Sequence, residues 1–337
     1  FKLRSRRKHT FHIAIGFANE DSKALAEAVI AKAEDNPFGA FASMWKKHLP
    51  DFSDERDQER RMAMYTSAHR VEASAVYSEY FQETFIPGLA DIAYRFGENV
   101  SNRDHINAAL QACHTNPELA RSIIRYVMKQ SGFDGIIPES NKGYGYIPSD
   151  SYKENNIQLD VLNAVAEYLE KTGNYGFLEE WITVYPQERG EMQSVMTILE
   201  RYFLYLRDNP SQSASRLAMQ SAYLDKFIVQ MERSGRASAA FLEALKEYSA
   251  KAGEHFRSID DYGIAELPYI LESKAITNYD KRELLDDAMD AGSADLRAVP
   301  GLSTFDGIEA SSLFRDSFKK IDMENVPVKD AAWILYC

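Results

Sequence analysis

The sequence predicts an all-α protein built from antiparallel helical hairpins, and three observations support that fold class. Apolar residues recur at steps of three and four, the helical period, through most of the 337 residues. Short and long loops alternate between these segments, of which the periodicity gives roughly ten to twelve. Only residues 10–18 show a convincing strand pattern, in which apolar and polar side chains alternate. The sequence has no fixed repeat length, so a short-repeat solenoid is possible but not supported.

Length and charge narrow the class of protein. A chain of 337 residues is too long for one small core and suits one large domain or two modest ones. The net charge of −12 argues against nucleic acid or an anionic membrane as the main partner, since both select basic surfaces. A basic run at residues 2–8 is the local exception; it could contact an anion, but it is more typical of a solvated edge or a cut end of a chain.

The sequence also shows neither a membrane span nor a cysteine framework. No apolar run reaches the length of about 18 residues that a spanning helix needs. Cys113 and Cys337 are the two cysteines, too few for a disulfide framework or a paired-cysteine metal site. We therefore expect no membrane partner, metal or organic cofactor. A cytoplasmic location is slightly favoured. The sequence does not decide between a monomer and a homodimer.

The N-terminal part combines the one predicted strand with two short helices. Residues 10–18 need a partner strand, because a lone strand is unstable. The chain also starts at Phe1 within this pattern, so we expect the beginning of a longer protein to be missing. Helices are predicted over residues 21–33 and 38–49, and Pro50 ends the second.

The next part predicts one long helix, over residues 53–82, and then a loop over residues 83–102. Asn116 and Pro117 mark another helix start, because Asn caps the first turn and Pro is tolerated within it.

The later helices carry the clearest periodicity. The strongest apolar stripe runs from Met192 to Leu206 and predicts a single helix. Two more helices are predicted around residues 217–231 and 241–248, with Gly235 as the break between them. Patterns beyond residue 255 are weaker.

Residues 132–180 are the stretch around which the chain is organised. To about residue 154 they form a loop rich in Gly, Tyr, Pro and Ser, and an amphipathic helix follows. The loop interleaves aromatic and acidic side chains, namely Tyr144, Tyr146, Tyr152, Asp150 and Glu154. Further long loops cover residues 85–103 and 207–216. In a hairpin array such loops can emerge at one end and line a common cleft.

This mixture of side chains suits sugars. Aromatic faces pack on the apolar side of a pyranose ring, and carboxylates and amides bond its hydroxyl groups. Cleaving a glycosidic bond needs a carboxylic acid that protonates the leaving oxygen. An inverting enzyme adds a second group, or a bound phosphate, on the opposite face. The alternative is that the tyrosines pack the loop and the acids are exposed.

Other catalytic patterns are absent from the sequence. It contains no phosphate-binding glycine loop, no zinc-binding His pair on a helix and no serine nucleophile elbow. Cys113 beside His105 or His114 is a conceivable thiol pair, but a buried cysteine on a helix is the more frequent situation.

One segment resembles a known family. AVAEYLEKTGNYGFLEE, residues 164–180, resembles the AV-x-EY-x-x-x-TGD-x-x-x-L-x-E segment of six-hairpin, (α/α)6-barrel carbohydrate enzymes. The cellobiose phosphorylase and cyclic β-1,2-glucan synthase group is the most similar, and the glycogen-debranching glucosidases come next. NRDH at residues 102–105, followed by NPELAR, is similar to the Arg-Asp element of that family. The resemblance covers about residues 10–256.

The resemblance implies a fold and a set of sugar contacts. It implies that residues 1–50 are the end of a truncated β-sandwich and its linker helices. Residues 51–337 would then form an (α/α)6 barrel, which could be incomplete at its C-terminus. Arg103 and Asp104 would bind the non-reducing sugar, and residues 150–156 match a sugar-facing acidic loop. We predict these substrate contacts: Arg103, Asp104, Glu139, Tyr144, Tyr146 and Asn156.

The sequence departs from the family where the general acid is expected. The phosphorylases carry this acid in a Gly-Asp-Trp-Asn-Asp loop, whereas this chain has only Arg207-Asp208-Asn209-Pro210-Ser211 there. Either Asp208 replaces the general acid in a shortened loop, or the catalytic loop is deleted. Deletion is favoured. The acidic pair before the helix is replaced by Asn155-Asn156. The catalytic candidates are therefore Asp208, Asp150 and Glu154.

These observations lead to one expected function and two alternatives. We expect an enzyme that cleaves or phosphorolyses a glycosidic bond of an oligosaccharide, preferably a β-glucoside, with inversion. Inorganic phosphate would be a co-substrate if it is a phosphorylase. The alternatives are an inactive carbohydrate-binding relative that lacks the general-acid loop, and a helical interaction scaffold.

Overall fold

The computed structural model describes residues 22–35, 37–86, 100–142, 147–148, 157–211 and 213–258. The chain divides into two units, Phe1–Arg56 and Asp57–Cys337. Within the described residues there are nine α-helices and seven short strands. The prediction of an all-α class is confirmed at this level, because helices dominate and the strands have two or three residues each.

The first unit contains helices α1 (Ser22–Asp35) and α2 (Pro37–His48), which pack against each other. Both short helices were predicted from the sequence. Residues 2–8 and 10–18, with the basic run and the predicted strand, lie outside the described residues.

The second unit contains the remaining elements. In chain order they are α3 (Gln58–Ala73), β1 (Val76–Ser78), β2 (Glu83–Phe85), β3 (Val100–Ser101), α4 (Asn102–Thr115), α5 (Pro117–Lys129), β4 (Ser140–Lys142), β5 (Ile147–Pro148), α6 (Ile157–Thr172), β6 (Trp181–Thr183), β7 (Met192–Ser194), α7 (Val195–Asp208), α8 (Ala214–Ser234) and α9 (Ala239–Arg257).

Alternate helices of this unit pack side by side. α6 contacts α4 on one side and α8 on the other, while α5, α7 and α9 are the return helices of three hairpins. α6 is the central helix, since all of its residues from 157 to 169 are buried. A helix buried on every side organises its neighbours, because each must cover part of its apolar surface.

Ion pairs show that α4, α6 and α8 run in the same direction. In the first turns, Arg103 of α4 pairs with Asp160 of α6 at 3.1 Å. Further along, His114 of α4 lies 3.0 Å from Glu167 of α6, and Lys226 of α8 pairs with the same carboxylate. Arg216, at the start of α8, also acts electrostatically on Asp160, so the starts of the three helices lie at one end of the array.

Helix ends follow local rules where the sequence carries a cap. Asn116 accepts a hydrogen bond from the backbone N–H of Leu119 at 3.1 Å, and Pro117 begins α5. Gly235 ends α8 with φ of 62°, in the left-handed region that glycine adopts without strain. Both boundaries were predicted.

The short strands were mostly missed. The helix predicted over residues 53–82 is wrong beyond Ala73, because β1 and β2 form an antiparallel hairpin there. Its return strand is fixed by a distant helix: the backbone N–H of Thr84 donates to Ser122 Oγ of α5 at 2.8 Å. The loop predicted over residues 83–102 is likewise wrong at β2 and β3.

The apolar stripe from Met192 to Leu206 is also interrupted. Residues 192–194 form β7, paired with β6, and Met192 is 51% exposed. Ser194 caps α7 by accepting a hydrogen bond from the N–H of Thr197 at 3.2 Å. The predicted helix was therefore three residues too long, because the apolar spacing continues from β7 into α7.

Candidate functional site

Two of the predicted loops are joined by backbone pairing at the start of α4. β3 lies just before α4 and pairs with β4, which belongs to the loop before α6. The N–H of Asn102 continues this pairing and donates to the carbonyl oxygen of Glu139 at 2.9 Å. β5 pairs with the other edge of β4. A small sheet thus lies beside the start of α4.

The first turns of α4, α6 and α8 bring three charged side chains together, which we call the first-turn cluster: Arg103, Asp160 and Arg216. Arg103 Nε donates to Asp160 Oδ2 at 3.1 Å. The charge of Arg216 also acts on this carboxylate. The side chain of Arg103 is 37% exposed and that of Asp160 is 10% exposed, so the pair lies at the boundary between core and solvent.

The electrostatics of Asp160 reflect two opposed effects. Burial raises the pKa of its carboxyl group, and the positive charges of Arg103 and Arg216 hold part of that rise back. The Asp160 carboxyl group therefore accepts a hydrogen bond from one guanidinium group, that of Arg103, and lies within the electrostatic field of a second, that of Arg216.

A buried amide network fixes the backbone that carries Arg103. The side-chain amide of Asn102 donates to Gln130 Oε1 at 2.9 Å and to the carbonyl oxygen of Pro138 at 2.8 Å. Its Oδ1 accepts from Gln130 Nε2 at 3.0 Å and contacts His105 Nδ1 at 3.1 Å. Burial lowers the pKa of His105 to about 3, so the ring is neutral and serves this network.

The first turn of α6 also holds the loop before it. Gln158 Nε2 donates to the carbonyl oxygen of Gly135 at 3.0 Å, and Gln158 is only 3% exposed. Gln158 and Asp160 lie two residues apart, so they project from roughly opposite sides of the helix. One side of the α6 start therefore contacts the loop and the other contacts the first-turn cluster.

The predicted site residues are not all gathered at the cluster. Arg103 belongs to it. Asp104 lies at the surface in the same turn; partial burial raises the pKa of its carboxyl group and the charge of Arg103 opposes that rise. Glu139 contributes its backbone carbonyl to the small sheet. Asp208, at the end of α7, is 63% exposed and pairs with Arg207 at 3.0 Å.

Five predicted residues cannot be placed. Asp150, Glu154, Tyr144, Tyr146 and Asn156 lie outside the described residues.

Sequence reasoning missed Asp160, Gln158 and Arg216. A signal for the first two was present, because the start of α6 is apolar on more than one face and therefore predicts a helix buried all round. A polar residue on such a helix needs a partner. Arg216 offered no comparable signal, since it begins an ordinary amphipathic helix.

A second cluster lies deeper along the same three helices. Glu167 of α6 receives Lys226, His114 and Lys171, with the last at 3.6 Å. Cys113 is 2% exposed beside it, and burial, with the charge of Glu167, raises the pKa of the thiol to about 12. The thiol is therefore protonated and shielded, which agrees with a buried cysteine and not with a reactive thiol pair.

The second cluster predicts a pH-dependent contribution to stability. Burial raises the pKa of Glu167, but Lys226, His114 and Lys171 more than offset this, so the pKa lies below its ordinary value of about 4.3. The ionised form then stabilises the fold above that pH, and the contribution is lost as the pH falls through the lower folded-state value.

We expect Glu167→Gln to lower the free energy of unfolding by about 1–2 kcal/mol at pH 7, because its cationic partners are partly solvated. The difference from wild type should shrink as the pH falls from 5 to 3 in urea unfolding curves. Glu247→Gln is the control, since Glu247 makes an exposed pair with Lys251 on α9. An undiminished difference at pH 3 would contradict the assigned charge effect.

The described residues contain no group of three or more His, Cys, Asp or Glu side chains placed to hold a metal ion. Among them, no helix combines the length and the apolar character needed to cross a membrane.

Neither a scan against protein-family models nor a search of curated proteins finds a match for this chain. Its resemblance to the six-hairpin carbohydrate enzymes therefore remains a prediction from the quoted motifs. We argue the function from the geometry of the first-turn cluster.

Proposed function

We propose that this chain is a carbohydrate-active protein of the six-hairpin, (α/α)6-barrel class, and that it cleaves or phosphorolyses a glycosidic bond with inversion. Its substrate is an oligosaccharide, with a β-glucoside as the first choice. The saccharide binds at the end of the helix array where α4, α6 and α8 begin.

Helix packing supports the barrel part of this proposal. Three consecutive hairpins place alternate helices α4, α6 and α8 side by side and parallel, with the return helices beside them. Continued through six hairpins, this arrangement closes into a ring with two layers of helices.

The first-turn cluster is the observation that carries the saccharide proposal. It joins the predicted Arg103 with Asp160 and Arg216 at the end of the array where α4, α6 and α8 begin. A sugar presents several hydroxyl groups, each of which both donates and accepts. A carboxylate accepts from such hydroxyls and a guanidinium donates to them, so the ion pair suits neighbouring hydroxyl groups of one sugar.

The chemical step needs more than these contacts. One carboxylic acid must protonate the leaving oxygen, and water or phosphate must attack from the opposite face of the sugar. Asp208, Asp150 and Glu154 remain the proposed acids. In a phosphorolytic reaction the phosphate would replace the water and leave with the sugar.

One observation favours binding without cleavage as a second candidate. Asp208 is mostly exposed and paired with Arg207, and its charge acts on Tyr248 of α9. A general acid works in a site that excludes water and lies against the leaving oxygen, whereas the Asp208 side chain is 63% exposed and turned to Arg207. This position is unfavourable for a general acid.

A substrate screen separates these candidates. The full chain is incubated with β-1,4-linked and β-1,2-linked gluco-oligosaccharides, with and without inorganic phosphate, and free sugar and sugar phosphate are measured. Phosphate-dependent release of sugar phosphate indicates phosphorolysis, and release of free sugar alone indicates hydrolysis. Calorimetric binding without turnover selects the binding candidate. Absence of both would overturn the proposal and leave the interaction scaffold.

The cluster itself is tested by Asp160→Asn, which keeps the shape and removes the charge. We expect affinity for the bound saccharide to fall about 10–100-fold, the loss of a charged hydrogen bond to the ligand. Thermal unfolding checks that the variant folds, and Arg103→Lys tests the partner with its charge retained. Glu179→Gln is the matched control, because its exposed pair with Arg236 lies outside the cluster. Equal affinity of Asp160→Asn and the control would remove the cluster from the site.

A further inference from the structure

An exposed aromatic ring lies in a tight turn beside the start of α6. Phe133 is 46% exposed, and the turn around it is closed by backbone hydrogen bonds of 3.2 Å from Gly135 N to the Gly132 carbonyl and from Gly132 N to the Ile136 carbonyl. Asp134 Oδ1 accepts from Ile136 N at 3.0 Å. The turn is therefore internally bonded although its aromatic side chain faces solvent.

The same turn is held against two helices. Gly135 has φ of 78°, and a β-carbon there would lie 2.9 Å from the backbone oxygen of Arg201 on α7. On its other side the Gly135 carbonyl accepts from Gln158 of α6. Contacts this close fix the backbone of the turn, and therefore the position from which the Phe133 side chain projects.

One face of the ring is covered by an arginine. The guanidinium carbon of Arg201 lies 4.7 Å from the ring centroid of Phe133, in cation–π contact. Within the part of the chain that the structure describes, no carboxylate pairs with Arg201, and its Nη1 is buried without a hydrogen-bond partner. Nη1 itself cannot reach a ligand because it is buried, but Arg201 as a whole is only partly buried. A half-exposed aromatic ring, open on the side away from Arg201, thus adjoins a guanidinium group that can still donate through its other N–H groups.

We infer that Phe133 and Arg201 form a further saccharide subsite, which takes a sugar unit beyond the first two of the same chain. The pyranose ring stacks on the open face of Phe133, and Arg201 donates to a hydroxyl group or ring substituent of that unit. This inference rests on the proposed saccharide function. Because Gln158 and Asp160 share the first turn of α6, the subsite and the first-turn cluster flank the same helix start.

Two subsites on either side of one helix start predict that affinity depends on chain length. A disaccharide held at the first-turn cluster has no unit left for Phe133, whereas a longer chain reaches both. The contribution of Phe133 therefore appears only in longer oligosaccharides.

The test is a calorimetric titration of the full chain with cellobiose through cellohexaose and with β-1,2-linked glucans of the same lengths. We expect wild type to bind the longer chains more tightly than the disaccharide. Phe133→Ala should weaken the longer chains about tenfold and leave the disaccharide unchanged, whereas Phe133→Tyr should retain the gain. Arg201→Lys should give an intermediate loss, because it keeps the charge and loses the planar donors.

Trp181→Ala is the control, since Trp181 is another exposed aromatic side chain, on β6, and should not affect binding. The subsite is overturned if Phe133→Ala leaves every length unchanged, weakens the disaccharide equally, or behaves as Trp181→Ala does. If wild type binds no oligosaccharide of either series, the proposed function fails first and the subsite fails with it. A loss of affinity for every chain length in Asp160→Asn, with a length-selective loss in Phe133→Ala, supports both.

Discussion

Glu83→Gln is expected to lower the free energy of unfolding by about 3–5 kcal/mol, the typical cost of removing one partner from a buried ion pair. Glu83 of β2 is 6% exposed and accepts hydrogen bonds from three groups of α5. These are Ser122 Oγ at 2.8 Å, Arg125 Nε at 2.6 Å and Lys129 Nζ at 2.7 Å. Glutamine keeps the size of the side chain but leaves the charge of Lys129, itself 7% exposed, without its anion.

The measurement is urea unfolding of each variant at neutral pH. Glu118→Gln on α5 is the matched control, since Glu118 is 81% exposed in its side chain and lies 3.6 Å from Arg121. We expect that change to stay within about 0.5 kcal/mol. Adding Lys129→Met to Glu83→Gln should recover part of the loss, because no uncompensated cation then remains at this position. Similar costs for Glu83→Gln and Glu118→Gln would show that the network is not effectively buried.

This network also bears on the candidate site. Lys129 ends α5 and directly precedes Gln130, whose amide is paired with Asn102 at the start of α4. Glu83 thus anchors the helix end that positions the turn with Arg103. If the proposed function holds, a variant that loosens this anchor should also weaken saccharide binding, because the turn that carries Arg103 is held less firmly.

The helices could be predicted because their determinants are local. Asn116 accepts a hydrogen bond from the backbone three residues later, and Gly235 adopts its positive φ within its own turn. A few neighbouring residues therefore determine both helix boundaries. The hairpin of β1 and β2 could not be predicted in this way. It depends on Glu83 binding Arg125, 42 residues away, and local periodicity carries no trace of that contact.

The same distinction applies to the site. Arg103 was predicted from its resemblance to a motif, and long loops were expected to share one end of the array. Its partner Asp160 lies 57 residues away and could only be identified once α4 and α6 were packed side by side. Arg201 reaches Phe133 through a comparable distant contact, fixed by a glycine turn whose close approach to α7 has no sequence signature.

Gly135→Ala should lower the free energy of unfolding by about 2–4 kcal/mol, through a left-handed backbone and a steric contact. Gly135 has φ of 78°, and the added methyl group would lie 2.9 Å from the Arg201 backbone oxygen, which cannot rotate away as a side chain can. Gly173→Ala is the matched control, with φ of 64° and no atom within 4 Å of the added carbon. It should cost only about 1–2 kcal/mol, the price of the backbone conformation.

Urea unfolding gives both values, and titration with the oligosaccharide series tests function. Gly135→Ala should reduce the affinity gain of longer chains as Phe133→Ala does, because the turn must move away from α7. Equal stability costs at the two glycines would mean that α7 does not constrain this turn.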